Sequence, residues 1–186
     1  MEYVRCKSCG FIMEAGKLGD MCPACGVPAK QFEPYVERIS EKRLKLMKMD
    51  IHPIVVHMPQ AFAALLVLLS IILLITGTGI AHTLMHDTAV VLALILPFTV
   101  LAAFCAGIFD AKLRFRRVTT PILKRKMLAG ILFFICATAA ALLVFIAGID
   151  GTFPLVIFLV LQVMGLGFGA VLGLMGSTLL NAAFPG

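Results

Sequence analysis

Charged residues are scarce in this chain of 186 residues, and their scarcity limits what the protein can be. Asp, Glu, Lys and Arg make up 14% of the sequence, and nearly all of them lie at or before Asp50 or between Asp110 and Lys126. Hydrophobic residues make up 61%, whereas a soluble domain has roughly 45 to 50% apolar residues. The composition therefore predicts a small soluble head followed by a body that lies in a membrane.

The sequence also lacks the motifs of several enzyme classes. No nucleophile, base and orienting residue occur together, and no phosphate-binding glycine loop precedes a helix, so we expect neither a hydrolase nor a nucleotide-dependent enzyme. Residues 1–30 have no apolar core of the length that a secretory signal needs. We therefore expect the head to stay in the compartment where it is made.

Four apolar stretches are long enough to cross a bilayer, whose core of about 30 Å needs roughly 20 residues of helix. They are residues 53–75, 88–109, 127–149 and 153–180. The sequence thus predicts an all-α four-helix membrane bundle over residues 51–186, a head over residues 1–36 and a basic linker over residues 37–50. The lipid bilayer is the first expected partner.

Lysine and arginine are absent from the first and third loops between the predicted spans. They are concentrated in the linker and in the second loop: Arg38, Lys42, Arg43, Lys45 and Lys48, then Lys112, Arg114, Arg116, Arg117, Lys124, Arg125 and Lys126. By the positive-inside rule, the head and the C-terminus lie in the cytoplasm and the protein is a multi-pass protein of the cytoplasmic (inner) membrane. Membrane topology explains the basic second loop, so no nucleic-acid partner is expected.

The linker "ERISEKRLKLMKMD", residues 37–50, mixes apolar and basic residues. One interpretation is an amphipathic helix on the membrane surface, with its cations near anionic headgroups. The alternative is a plain solvated linker. Either way, the linker is expected to tether the head to the cytoplasmic face.

The fourth span carries small residues at every fourth position, namely Gly165, Gly169, Gly173 and Ser177. Such a stripe lets helix backbones approach closely in lipid, either inside the bundle or between two copies in a homo-oligomer. Gln162 is the one strongly polar side chain in the apolar body of this span, and we expect it to hydrogen-bond to a neighbouring helix.

Four of the six cysteines form two C-x2-C pairs, Cys6 with Cys9 and Cys22 with Cys25, separated by twelve residues. Each pair is followed by a glycine, which tolerates the positive φ of a turn that directs backbone N–H groups at the sulfurs. Four thiolates suit zinc or iron in a tetrahedral site. The missing signal argues against disulfides. The other two, Cys105 and Cys136, lie in apolar runs and are expected to pack as small hydrophobic residues.

Residues 3–35 resemble the rubredoxin-like domain at one end of rubrerythrins. That domain has C-x2-C-G followed by an aromatic residue, a short gap, then C-P-x-C-G and a downstream phenylalanine. The matching residues here are Cys6, Cys9, Gly10, Phe11, Cys22, Pro23, Cys25, Gly26, Pro28 and Phe32. The resemblance implies one iron held by the four cysteines, with Phe11 and Phe32 packed around it. A structural zinc ribbon shares the same spacing, so zinc stays an alternative.

The segment "DIHPIVVHMP", residues 50–59, resembles the opening H-P-x-x-V-H-x-P motif of a family of small four-span membrane proteins whose domain has no assigned function. The stretch "AGIFD", residues 106–110, is similar to the G-x-x-D that closes the family's second span. A histidine often opens the third span in that family. This chain has Met127 in that neighbourhood and no histidine there.

Histidines at a membrane boundary raise the hypothesis of a cofactor in the bundle. His57 is a candidate ligand of a b-type haem, with Met127 as the second axial ligand. In a second hypothesis, His57 lines a quinone pocket. In a third hypothesis both histidines are purely structural: His57 hydrogen-bonds Asp110, and His52 caps a helix. His82 and His86 belong to the opposite face of the membrane.

The leading functional hypothesis is a membrane-anchored carrier of single electrons that exchanges them with a soluble or membrane redox protein, rather than an enzyme with its own substrate. The second is a zinc ribbon that docks a partner protein onto a membrane anchor. The third is a thiol or metal sensor. All three share one architecture, so the identity of the metal separates the first two.

Overall fold

The computed structural model describes residues 2–36, 40–47, 49–115 and 118–181. The described residues divide into an N-terminal unit that ends at Leu46 and a helical unit, Met47–Ser177. Of the predicted cations, Arg38, Lys48, Arg116 and Arg117 lie outside the described residues.

The N-terminal unit is built on a three-stranded antiparallel sheet with the order β2-β1-β3. Its strands are β1 (Tyr3–Cys6), β2 (Ile12–Glu14) and β3 (Phe32–Tyr35). Arg5 and Glu33 are paired across β1 and β3, and the Nη2 of Arg5 lies 2.6 Å from the Oε1 of Glu33. This cross-strand ion pair matches the register of the sheet, in which Cys6, the last residue of β1, lies opposite Phe32.

Five α-helices follow: α1 (Glu41–Met47), α2 (Ile51–Ile75), α3 (Ile80–Phe115), α4 (Pro121–Ala147) and α5 (Thr152–Asn181). The described residues contain four helices long and apolar enough to cross a membrane, and these correspond to α2 to α5. The predicted fold class is confirmed: a mostly helical chain with four membrane-length helices and a small N-terminal four-cysteine domain. The short α1 lies within the predicted linker.

The helices extend beyond two of the predicted spans. The helix α3 begins at Ile80 rather than near residue 88, because the chain turns at Gly79, where φ is +152°, and Thr83 then hydrogen-bonds back to the Gly79 carbonyl. The helix α4 begins at Pro121 because Thr120 is its N-cap and accepts a hydrogen bond from the backbone of Leu123. Residues 80–87 and 121–126, which lay outside the predicted spans, therefore form the first turns of α3 and α4.

The four long helices alternate in direction. Gly107 of α3 lies beside His52 of α2, Gly130 of α4 beside Phe104 of α3, and Gly165 of α5 beside Phe133 of α4. The core includes several alanines with no exposed surface: Ala63, Ala89, Ala93 and Ala140. Lipid gives no hydrophobic drive for helices to associate, so close approach at small residues is the main source of packing energy here.

The small-residue stripe of α5 packs within the bundle. A side chain at Gly165 would come within 3.2 Å of Phe133, and one at Gly169 within 3.7 Å of Gln60. Gly165 and Gly169 are buried and face the inside of the bundle. Gly173 is exposed.

Gln162 is 1% exposed, and its Nε2 has no hydrogen-bond partner among the described residues. The expected hydrogen bond to a neighbouring helix is therefore not made through the Nε2 of Gln162 to any residue that the structure describes. The Nε2 of Gln60 on α2 instead donates to the Gly169 carbonyl at 3.1 Å, so an amide does bridge two helices at a different position.

Candidate metal centre

Two similar turns hold the four cysteines of the N-terminal unit. In the first, the backbone N–H of Cys6 donates to the Phe11 carbonyl at 2.8 Å and that of Gly10 donates to the Cys6 carbonyl at 2.9 Å. In the second, Cys22 donates to the Val27 carbonyl at 2.8 Å and Gly26 donates to the Cys22 carbonyl at 2.9 Å. The repeated C-x2-C-G sequence therefore folds into a repeated local structure.

The glycine of each turn has a left-handed backbone, with φ of +77° at Gly10 and +74° at Gly26. A residue with a Cβ atom disfavours this region, whereas glycine adopts it readily. The glycine after each pair thus allows the chain to curl around the sulfurs, as the spacing predicted.

The four sulfur atoms lie within 4.8 Å of one another. The Sγ of Cys6 is 3.8 Å from that of Cys25, and the Sγ of Cys9 is 3.8 Å from that of Cys22. Four sulfurs bonded at about 2.3 Å to one tetrahedral ion would be separated by about 3.8 Å. The residues present therefore fit a single tetrahedral ion, and the four-thiolate donor set suits either iron or zinc.

Burial differs between the two cysteines of each pair. Cys6 and Cys22 are 1% and 2% exposed, whereas Cys9 and Cys25 are exposed at the surface. One side of the site is therefore buried within the N-terminal unit and the other side is exposed.

The backbone around the site stabilises thiolate charge. Burial raises the pKa of the Cys6 thiol, but backbone N–H groups of Cys9 and Ser8, with help from neighbouring thiols, lower that pKa to about 7. At Cys25 the backbone N–H of Val27 lowers the pKa, whereas burial and the three other thiols raise it to about 12. The four sulfurs thus compete for negative charge, and a cation among them would allow all four to ionise.

The two aromatic residues near the site differ in exposure. Phe11 is 37% exposed, and Phe32 is half-buried opposite Cys6 in the sheet. A unit of this size buries little apolar surface, so a bound ion would supply much of its folding stability.

Two of the four candidate residues of the bundle, His52 and Asp110, lie in separate side-chain clusters at one end of the helices. The ring of His52 lies against Gly107 of α3, and its Nε2 is 3.5 Å from the Nζ of Lys126 on α4. The Oδ1 of Asp110 accepts a hydrogen bond from the Nε of Arg114 at 2.9 Å. The contacts made by Lys126 and Arg114 were not foreseen, because one sequence shows the basic loop but not which of its cations turn inward.

The other two candidates, His57 and Met127, are placed differently. His57 is exposed on the surface of the bundle, and its Nδ1 lies 2.6 Å from the carbonyl oxygen of Pro53 in the preceding turn of its own helix. Its Nδ1 is therefore engaged within α2, and the Asp110 carboxylate that was its alternative partner is bonded to Arg114. Met127 is half-buried on α4.

His86 lies at the opposite end of the bundle, as expected. Its Nδ1 is 3.3 Å from the Oδ1 of Asp87, and its Nε2 is 3.4 Å from the Oδ1 of Asp150 in the link between α4 and α5. Of the described residues, only the four cysteines form a group of three or more His, Cys, Asp or Glu side chains that could hold a metal ion.

In a comparison with protein families, residues 5–33 match the family described as "Rubrerythrin, rubredoxin-like domain". Comparisons with curated proteins and with solved structures give no match. The resemblance predicted from the cysteine segment is confirmed, and the four cysteines of the site all lie within the matched residues.

Proposed function

We propose that this protein carries single electrons at a membrane, using one iron ion held by Cys6, Cys9, Cys22 and Cys25. The observation that carries the proposal is the sulfur geometry within a matched rubredoxin-like domain: two pairs at 3.8 Å, all within 4.8 Å. Bound iron supplies a reversible ferric/ferrous couple, so each turnover takes up one electron and releases one.

The residues of the site are suited to that exchange. Backbone N–H groups of Ser8 and Cys9 stabilise the sulfur of Cys6, and such contacts tune a metal's potential. Exposed Cys9 and Cys25 offer the shortest way for electrons to reach a docked redox protein, whether soluble or in the membrane. Cys6 and Cys22 form the buried side of the site.

We propose that both termini lie in the cytoplasm and that the membrane is the cytoplasmic (inner) membrane. The support is the separation of charge along the helical unit. Arg114 and Lys126 lie at the end where α2 begins, whereas the links 76–79 and 148–151 at the other end contain no Lys or Arg. Cytoplasmic ends carry the excess of cations.

A redox cofactor in the bundle, either a b-type haem or a quinone, is a further part of the proposal. The support for haem is His57, whose Nδ1 can donate to the Pro53 carbonyl and leave the Nε2 lone pair for a metal. His52, Asp110 and Met127 are the other residues proposed to contact such a cofactor.

A zinc ribbon that docks a partner onto the membrane is the second candidate, because the same sulfur spacing suits zinc. The discriminating experiment is anaerobic purification of the full chain in mild detergent, followed by metal analysis and by visible spectra before and after reduction with dithionite. Iron near one per chain, with ferric-thiolate bands that bleach on reduction, supports the electron carrier, and an added Soret band would identify haem. Stoichiometric zinc with a featureless spectrum would overturn the redox function in favour of docking.

A further inference from the structure

Lys126 lies at the meeting point of three helices. Its Nζ is 3.5 Å from the Nε2 of His52 on α2 and 3.8 Å from the position that a side chain at Gly176 of α5 would occupy. Lys126 is half-buried, whereas Lys124 and Arg125 directly before it are exposed. This ammonium group is therefore turned inward, while its two basic neighbours point away from the bundle.

Within the part of the chain that the structure describes, this ammonium group has no carboxylate as a direct partner. Among the described residues, no Asp or Glu oxygen lies within 4.0 Å of the Lys126 Nζ. Asp110 attracts it from further away, but the Oδ1 of Asp110 is bonded to Arg114 at 2.9 Å. Asp50 is likewise bonded to Arg114, at 2.7 Å. Arg114 thus pairs with both of these carboxylates, and a partly buried cation without its own anion is costly.

His52 does not supply the missing negative charge. An imidazole that accepts from an ammonium group through Nε2 is neutral and has its hydrogen on Nδ1. That Nδ1 is buried beside the backbone of α3 at Ala103 and Gly107, and it makes no hydrogen bond of acceptable geometry there. The ring therefore orients the ammonium group and leaves its remaining N–H donors available to an acceptor from outside the chain.

The position of the cluster along the helices indicates which acceptor this is. His52 is the second residue of α2, Lys126 the sixth of α4, and Gly176 lies near the end of α5. All three are at helix ends, the level at which the phosphates of a bilayer leaflet lie. Basic sites between transmembrane helices at this level bind the headgroups of anionic lipids.

We infer that Lys126, oriented by His52, binds the phosphate of one anionic phospholipid between α2, α4 and α5. The charge of the ammonium group favours an anion over the neutral carbonyl of a quinone, and the interfacial level favours a lipid over an ion from solution. This site is separate from the four-cysteine centre and does not depend on which metal that centre holds.

The test uses the full chain, delipidated in an uncharged detergent, with phosphatidylglycerol as the probe and phosphatidylcholine as the neutral lipid. Thermal unfolding and native mass spectrometry report lipid binding for the unaltered protein, for Lys126→Gln and for the control Lys124→Gln. We expect phosphatidylglycerol, and not phosphatidylcholine, to raise the melting temperature of the unaltered protein and of Lys124→Gln. Lys126→Gln should bind phosphatidylglycerol roughly fivefold more weakly, the effect of one cation near a charged leaflet.

Several results would overturn the inference. The first is that phosphatidylglycerol raises the melting temperature of Lys126→Gln as much as that of the unaltered protein. The second is that both lipids raise the melting temperature of the unaltered protein equally. The third is that inorganic phosphate at matched ionic strength raises it as much as phosphatidylglycerol does. If Lys126→Gln does not fold, Lys126→Arg keeps the test open, since it should retain the preference for phosphatidylglycerol. Loss of that preference in a folded Lys126→Arg would also contradict the site. So would a native mass spectrum of the unaltered protein that shows no bound phosphatidylglycerol.

Discussion

The carboxylate of Asp50 lies 2.7 Å from the guanidinium group of Arg114, across a separation of 64 residues. Asp50 directly precedes α2 and has a left-handed backbone with φ of +46°, a conformation that Asp tolerates better than most residues. Arg114 also bonds Asp110 at 2.9 Å and reaches the Met47 carbonyl at 3.4 Å. One cation thus connects the start of α2 with the end of α3.

Replacing Arg114 by Gln should lower the melting temperature of the detergent-solubilised protein, because the carboxylates of Asp110 and Asp50 then lie close together without their cation. Asp50→Asn should have a smaller effect, about 1 kcal/mol or less, since the Asp50 carboxylate is exposed to solvent. Lys112→Gln is the control, because Lys112 is an exposed residue of the same helix end. Equal melting temperatures for Arg114→Gln and Lys112→Gln would show that the network contributes nothing to stability.

The glycine of the second cysteine turn offers a test of backbone strain without steric crowding. Gly26 has φ of +74°, and a Cβ atom there would meet no heavy atom within 4 Å. Gly26→Ala should therefore destabilise the metal-bound head by about 1 kcal/mol, the cost of placing a side chain in the left-handed region. Gly16→Ala is the control, because that position is equally open and has no positive φ.

The measurement is the rate at which a chelator removes the metal from each variant. We expect faster loss from Gly26→Ala than from the unaltered protein, with Gly16→Ala unchanged. If Gly26→Ala and Gly16→Ala release the metal at the same rate, the turn does not require the left-handed backbone.

Two glycines of α5 can be compared, one inside the small-residue stripe and one outside it. A side chain at Gly165 would press on Phe133 at 3.2 Å, whereas one at Gly167 would meet nothing within 4 Å. Gly165→Leu should lower the free energy of unfolding by about 1 to 3 kcal/mol, as overpacking does in other tightly packed cores. Gly167→Leu should be close to neutral. Thermal unfolding in detergent measures both variants. A Gly165→Leu variant as stable as the unaltered protein would mean that α4 and α5 separate easily.

The sequence predicted the features that depend on local spacing. The four cysteines were identified from two C-x2-C-G repeats, and the described structure places their sulfurs within 4.8 Å of one another. The four long helices were identified from apolar length, and all four are present. Both signals are local, because a turn around a metal and a bilayer-length helix each depend on neighbouring residues in the chain.

The sequence did not show which histidine of the first span turns inward. His52 and His57 are five residues apart, which places them about 140° apart around a helix. Only an apolar face distinct from a polar one would reveal the orientation, and α2 is apolar on nearly all sides. Packing against Gly107 and Lys126 places His52 inside, whereas His57 stays exposed and bonds within its own helix.

The last prediction concerns the metal centre itself. Cys9→Ser replaces an exposed sulfur ligand with a weakly basic hydroxyl, so the ion should be lost or bound far more weakly, and any ferric-thiolate bands should disappear or shift. The four long helices share no residue with this site, so the variant should still insert into membranes. Cys105→Ser is the matched control, because Cys105 is an exposed cysteine in α3, outside the sulfur group. It should keep full metal content and an unchanged spectrum. Metal content and spectrum that are the same in Cys9→Ser as in Cys105→Ser would show that the ion is held elsewhere.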